Sequence, residues 1–354
     1  MLLCIGHVSP CESPMCVSGH ICVAGYPFIH CLTDQLLQIV DTHFIMMMDF
    51  VNGMSVENKD KKERTMTNIQ LIATDLDGTL LNSEHKVSQE NEQALKEAAA
   101  NGIEVVVSTG RAYFDVRSIF DQLGMNTWVI SANGAVIHDP TGQVYHSAAL
   151  QEEKAKHILS WLEERDYYYE VFTNEAIFTP NRGRELLAIE MDRLKSANPE
   201  TDQNVLKQAA EVQYSQSGFS YIDTYKELFR EDRKLSFYNI LGFSFFQDRL
   251  KAGWDMFGND SDLTLVSSAD HNFEIGSKDA SKGQALTRLA ERLGIPLSRA
   301  AAVGDSLNDE SMLRAAGVGV AMGNARQDIK EIADHVTLSN DEHGVAHMIR
   351  HLLK

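Results

Sequence analysis

From Ile69 onward, short apolar runs alternate with amphipathic helical stretches, and that alternation constrains the fold more than any other feature of the chain. Ile69-Gln70-Leu71-Ile72-Ala73 has the length and composition of a strand buried in a parallel sheet. A helix is expected from about Ser88 to Ala100, with Ser88 as N-cap and Gly102 as the stop. Ile103 to Val107 is β-branched and strand-like, and Ala112 to Leu123 is helical up to Gly124. Trp128-Val129-Ile130 is a further strand, closed by the turn residues Asn133-Gly134. After Lys282 the rhythm returns with a helix, the strand Ala300 to Val303, and more strand–helix units. Such alternation predicts an α/β domain on a doubly wound, Rossmann-like parallel sheet.

The middle third breaks the rhythm. Residues 151–165 read as an amphipathic helix, and strands are expected at Tyr167 to Phe172, Ala176 to Thr179, Lys234 to Leu241 and Leu263 to Ser267. Phe245 to Phe257 is helical, and Ser196 to Asn204 is a polar loop. One domain interrupted by another accounts for both patterns. Residues 67–150 and 274–354 are then the core, and residues 151–273 an inserted α+β domain. A chain of 354 residues has room for two domains of roughly 100–200 residues each.

Composition narrows the function. Lys and Arg number 32 against 50 Asp and Glu, a formal net charge of −18, so there is no electrostatic footprint for nucleic acid or an anionic membrane. No apolar run approaches the roughly 20 residues of a spanning helix. All five cysteines lie at or before Cys31, so the rest of the chain needs no disulfide and suits a reducing cytoplasm. Cys16, His20 and Cys22 offer zinc-type donors, but at a spacing that matches no paired CxxC or HxxxH arrangement. There is no Lys or Arg before Lys59, which removes the basic n-region of a secretory signal. With the charge run Lys59 to Arg64 and a start-like Met66, residues 1–66 read as a weakly structured extension. The pattern specifies no oligomeric state.

Four segments carry chemistry. In Asp75-Leu76-Asp77-Gly78-Thr79, two carboxylates follow a buried strand directly, where open α/β sheets bind ligands. Ser108-Thr109-Gly110-Arg111 ends the next strand and can offer a hydroxyl and free N–H groups to an anion. Ser281-Lys282-Gly283-Gln284 fits a capping box that sets Lys282 in the first turn of a helix. The helix dipole disfavours a cation there unless an anion faces it, which singles out Lys282 over the nearby Lys278. In Gly304-Asp305-Ser306-Leu307-Asn308-Asp309, two aspartates four apart would share one face of a helix. Two carboxylates about 4 Å apart repel by roughly 4 kcal/mol at an effective dielectric near 20, so gathering Asp75, Asp305 and Asp309 calls for a cation. An all-oxygen donor set points to Mg²⁺ rather than zinc.

These segments, in this order, resemble the haloacid dehalogenase superfamily of phosphatases, from about Ile69 to Lys354. The DxDGT motif is met by Asp75, Asp77 and Thr79, the strand-terminal hydroxyl by Thr109, the helix-proximal lysine by Lys282, and GDxxND by Gly304 to Asp309. The TGR segment, Asn133-Gly134-Ala135 and the long insert look like the Cof-type subfamily, whose members carry a cap of the C2B kind. The resemblance implies that Asp75 is the nucleophile and a Mg²⁺ ligand. It implies that Asp77 is the general acid and base, with its carbonyl on the metal. It also implies that Thr109, Gly110, Lys282, Asn308 and the Leu76 N–H hold phosphoryl oxygens, that Asp305 ligates Mg²⁺, and that Asp309 supports the metal site. Arg111 could assist or form a surface salt bridge.

The expected activity is Mg²⁺-dependent hydrolysis of small phosphorylated metabolites, such as sugar phosphates, flavin mononucleotide or pyridoxal phosphate. Asp77 separates phosphatases and mutases from the superfamily's dehalogenases, which lack an acid there. A sugar phosphomutase and a non-catalytic phosphometabolite-binding regulator are the alternatives. Arg182, Arg184, Tyr214 and Tyr221 are the cap residues considered for substrate choice.

Overall fold

The computed structural model describes residues 68–197, 200, 202–214 and 218–353; the N-terminal extension and its cysteines lie outside the described residues. The expected alternation is present: β1 (Leu71–Thr74), α1 (Gln89–Ala100), β2 (Glu104–Ser108), α2 (Tyr113–Leu123) and β3 (Trp128–Ser131). Local chemistry sets the boundaries. The Ser88 hydroxyl accepts the Asn91 N–H at 3.2 Å to start α1, and Gly124 ends α2 in the left-handed region at φ 64°. The chain then adds β4 (Val136–His138) and β5 (Val144–Ser147), which pair antiparallel beyond β3.

A second layered unit follows: α3 (Glu152–Glu163), β6 (Tyr168–Thr173), β7 (Ile177–Pro180), α4 (Gly183–Ala197), α5 (Gln203–Tyr214), β8 (Phe219–Ile222), β9 (Phe237–Phe243), α6 (Gln247–Phe257), β10 (Leu263–Val266) and β11 (Asn272–Ser277). Its six strands run in the order β10-β11-β9-β6-β7-β8, antiparallel except for β7 and β8. Rings fill one face of this sheet, with Tyr167, Tyr169, Phe178, Phe237, Phe257 and Phe273 buried together. The expected boundary between residues 273 and 274 falls inside β11, so membership of the sheet carries the insert through Ser277. The two ends of the stretch expected as a polar loop at 196–204 belong to the end of α4 and the start of α5.

The chain returns through α7 (Lys282–Leu293), β12 (Ala300–Gly304), α8 (Glu310–Ala315), β13 (Val318–Ala321), α9 (Gln327–Ile332), β14 (His335–Val336) and α10 (Gly344–Leu352). The completed first sheet has eight strands in the order β14-β13-β12-β1-β2-β3-β4-β5. It is parallel from β14 to β3, and the β4–β5 hairpin at one edge is an antiparallel addition to the parallel sheet expected. From β1 the strand order runs one way and from β12 the other, so the topological switch point lies between these two neighbours. Leu71, Ile72, Val106, Val107, Ala301 and Val303 are buried around it. No helix among the described residues is long and apolar enough to cross a membrane.

Candidate active site

Asp75 follows β1 directly, and its backbone N–H donates to the Val303 carbonyl of β12 at 3.0 Å. This fixes its side chain at the switch point, where it is 5% exposed. Lys282 opens α7 after the N-cap Ser281, whose hydroxyl accepts the Gln284 N–H at 3.2 Å. The Gln284 side chain donates instead to the Lys278 carbonyl, so the expected capping box closes on one side only. The fully buried Lys282 ammonium lies 2.7 Å from Asp75 Oδ1 and 2.6 Å from Asp309 Oδ1. Burial alone would lower its pKa; the charges of Asp309 and Asp75 outweigh that and raise it.

Asp305 and Asp309 meet by a route different from the one expected. α8 begins only at Glu310, so no helical face carries both. Asp309 instead turns back, and its Oδ2 accepts the backbone N–H groups of Asp305 and Ser306, both at 2.9 Å. Asp305 in turn takes the Thr79 hydroxyl at 2.7 Å and the Ser306 hydroxyl at 3.1 Å. Gly78 allows the two loops to touch: it sits at φ 75°, and a Cβ there would lie 2.5 Å from Asp305 Oδ2.

One oxygen each from Asp75, Asp305 and Asp309 lie within 4.8 Å of one another. Burial, with the Asp309 charge, pushes the Asp305 carboxyl up to about 6. Burial also raises Asp75, against the pull of Lys282. Gathered carboxylates that resist ionisation are short of positive charge, and an all-oxygen donor set suits a hard divalent cation. The residues present therefore fit such an ion. Asp309 has both oxygens engaged by the chain, so its part there is support of the Asp305 loop.

Asp77, two residues along, is held otherwise. Arg111 donates through Nε and Nη2 to its two oxygens, each at 2.7 Å, and through Nη1 to Asp115 at 3.2 Å. The Asp77 side chain is 48% exposed. Thr109 is buried, its hydroxyl accepting the Arg111 N–H at 3.1 Å and its carbonyl the Asn133 N–H at 3.0 Å. Gly110 lies beside Asn133, Leu76 is buried, and Asn308 donates through Nδ2 to Asn133 Oδ1 at 3.1 Å. Asn308 Oδ1 is buried without a hydrogen-bond partner.

A cavity of about 280 Å³ opens over these groups. The first sheet's side contributes Asp75, Asp77, Thr109, Gly110, Arg111 and Asn308; the inserted unit contributes Phe172, Leu241, Ser268, Asn272 and Glu274. The cap residues considered from sequence are elsewhere. Arg182 pairs with Asp166, Tyr221 is exposed on β8, neither they nor Arg184 line the cavity, and the Tyr214 side chain is outside the described residues. Lys278 pairs with Asp262 at 3.1 Å.

Glu274 was not singled out from sequence. It is 2% exposed and accepts Asn133 Nδ2 at 2.7 Å and Asn239 Nδ2 at 2.6 Å on one oxygen, and the Ser268 hydroxyl at 2.6 Å on the other. The available signal was the alternation Asn272-Phe273-Glu274-Ile275. It sets two polar side chains on the sheet face opposite the apolar pair.

A profile of the haloacid dehalogenase-like hydrolase family matches residues 72–349. The phosphatase YwpJ of Bacillus subtilis is 68% identical over 285 residues, covering 80% of this chain and all of that protein. The 5-amino-6-(5-phospho-D-ribitylamino)uracil phosphatase YwtE of the same organism is 40% identical, covering 80% of this chain and 98% of its own. Among solved structures, a haloacid dehalogenase-like hydrolase from B. subtilis superposes with a TM-score of 0.72 at 68% identity, over 80% of this chain and 99% of that one.

Proposed function

Since the chain belongs to the haloacid dehalogenase-like hydrolases and is a phosphatase of that family, we propose that it is a magnesium-dependent hydrolase of small phosphorylated metabolites that works through an aspartyl-phosphate. The observation that carries this reading is the convergence of Asp75, Asp305 and Asp309 on one point, with the buried Lys282 charge between Asp75 and Asp309.

The Asp75 oxygen not held by Lys282 attacks phosphorus, and the bond from phosphorus to the leaving oxygen breaks. Asp77, which takes up a proton from solvent on leaving the Arg111 fork, gives that proton to the leaving oxygen. Water then attacks the phosphoaspartate while Asp77 takes a proton from it. The bond between phosphorus and Asp75 breaks, orthophosphate leaves, and both side chains return to their starting states. Asp77 must leave the Arg111 fork to do this, and its half-open position gives it room. Lys282, Asn308, Thr109, Gly110 and the Leu76 N–H hold the phosphoryl oxygens, donors set in advance where charge gathers. Asp75, Asp305 and the Asp77 carbonyl would hold magnesium, with Asp309 in support, and the ion supplies positive charge beside the phosphoryl group.

The test is a panel of sugar phosphates, flavin mononucleotide, pyridoxal phosphate and 5-amino-6-(5-phospho-D-ribitylamino)uracil, the compound named for the 40% identical relative. Orthophosphate release that needs Mg²⁺ and falls at least ~10⁴-fold in Asp75→Asn is the expected result. Isomerised phosphosugar without free phosphate would mark a mutase. Tight binding of one compound without turnover would mark a regulator.

A further inference from the structure

The turn Ala132 to Gly134 touches Thr109, Gly110, Asn308 and the start of the Lys282 helix. The Asn133 N–H donates to the Thr109 carbonyl, and a Cβ at Gly110 would lie 3.1 Å from Asn133 Oδ1. That same Oδ1 accepts from Asn308. A Cβ at Gly134 would lie 2.2 Å from the Ser281 carbonyl, so the turn also lies against the start of the Lys282 helix. Asn133 holds a left-handed backbone at φ 55° to make these contacts at once. Its Nδ2 donates to a residue of the inserted unit, Glu274 on β11, at 2.7 Å.

We propose that Glu274 is a positioning residue of the phosphate site. Through Asn133 it sets the Asn308 amide, so that docking of the cap on the core and readiness of the phosphate cradle are one event. The claim rests on the phosphate-binding reading above.

An amide can present either its oxygen or its NH₂ in a given direction, and here only Glu274 decides which. The Glu274 oxygen that faces Asn133 already takes the Asn239 Nδ2 hydrogen, so in either protonation state it accepts there and fixes Asn133 with NH₂ toward the cap and oxygen toward Asn308 and Gly110. Asn308 then commits one Nδ2 hydrogen to Asn133 and keeps the second for a phosphoryl oxygen. Ser268 and Asn239 hold Glu274 in turn, so three donors from two units converge on one carboxyl. A carboxyl so buried is tolerated only while those donors are in place, and one of the three belongs to the core. Moving the cap away would remove it. Burial raises the Glu274 pKa against these hydrogen bonds, and an amide can replace either state: its oxygen accepts from both asparagines and its NH₂ faces the Ser268 oxygen.

The test is calorimetric titration of the full chain with inorganic phosphate in the presence of Mg²⁺. Phosphate has no leaving group, so it reports the cradle and not the cap's contacts with substrate. Glu274→Ala and Asn133→Gly, the latter chosen to suit the left-handed backbone, should each weaken phosphate binding about 10-fold, in the range seen when supporting hydrogen bonds are removed. The double variant should be no weaker than about 10-fold, because one linkage is being cut twice. Glu274→Gln should stay within about twofold of the parent by keeping the linkage. Phosphate affinity unchanged in Glu274→Ala, with KM for larger substrates altered, would make Glu274 a leaving-group contact and overturn the proposal. So would a double variant that loses about 100-fold, the product of two independent effects.

Should Glu274→Ala fail to fold, Asn239→Ser removes one donor to Glu274 and should weaken phosphate about threefold, a fraction of the full linkage; unchanged affinity there also overturns the claim. A parent protein that binds phosphate but hydrolyses nothing would defeat the phosphatase reading and leave this one testable by the same titration. A parent that binds no phosphate overturns both.

Discussion

Asp75, Lys282 and Asp309 meet in a closed interior, whereas Asp77 and Arg111, carried on adjoining loops, pair at the half-open edge of the same cavity. In the first cluster the side chains are at most 7% exposed, and every contact is fixed by strand ends and a helix start. In the second the carboxylate is held by one side chain, Arg111, and is itself half exposed. On the proposed mechanism, the difference separates two jobs that one motif does within three residues. A nucleophile and its counter-charge need to be still, since they meet phosphorus at one point. A group that moves a proton from one oxygen to another needs to turn.

If stillness is what burial provides, removing the buried cation should disturb the whole fold. Lys282→Met leaves Asp75 and Asp309 facing each other without the cation between them. Breaking a buried pair from one side costs about 3–5 kcal/mol, and denaturant unfolding should register that loss. A loss under about 1 kcal/mol would mean that water reaches this cluster and that the contrast with the edge pair is false.

Burial without a partner has the opposite outcome, which sharpens the point. His138 on β4 is buried, stacks on Tyr113 at 3.7 Å, and its Nδ1 has no hydrogen-bond partner. Burial lowers its pKa to about 4, only partly opposed by the Asp139 charge. Lys282 keeps its proton in the interior because two carboxylates meet it; His138 gives its proton up. The unfolded chain binds a proton near pH 6.5 that the folded chain refuses until about pH 4, so this contribution to stability is complete above pH 6.5 and is lost as pH falls through 4. Between pH 7 and pH 5 the loss is about 2 kcal/mol. His138→Phe keeps a stacking ring and cannot titrate, so its unfolding free energy should fall about 2 kcal/mol less over that range than the parent's. Equal slopes would show that His138 is not neutral in the fold.

The same contrast explains what could be read in advance. β1, β2, β3 and β12 are dominated by Ile, Leu, Val and Ala within the parallel part of the sheet, where burial on both faces leaves its mark in the sequence. The aspartates stood out because they follow such runs directly. Asp309 was seen as a partner of Asp305, but its hold on the Asp305 and Ser306 N–H groups is a turn that spacing does not reveal. Arg111 was legible as a charge near the site but not as the fork on Asp77, which depends on two loops meeting. The inserted unit was harder. α4 carries many charged residues and α5 is mostly polar, and β11 buries Asn272 and Glu274 on one face. Polar residues are buried there because distant donors satisfy them, and pairings of that kind leave no local pattern.

The smallest effect on the fold should come from the edge pair. In Asp77→Asn, the Arg111 guanidinium keeps Asp115 as a partner and remains largely sheltered, while the lost carboxylate was half in water. Exposed pairs are worth about 0–1 kcal/mol, so unfolding should shift by less than about 1 kcal/mol. Activity should respond far more, because an amide can neither give the leaving oxygen a proton nor take one from water. A loss of about 10²–10⁴ in kcat is the range for a general acid–base. The two readings must separate for the contrast between clusters to hold: Asp77→Asn folded and inactive, Lys282→Met destabilised. A variant that loses several kcal/mol along with its activity would place Asp77 in the structural class with Lys282, and the half-open carboxylate could then not be the group that moves.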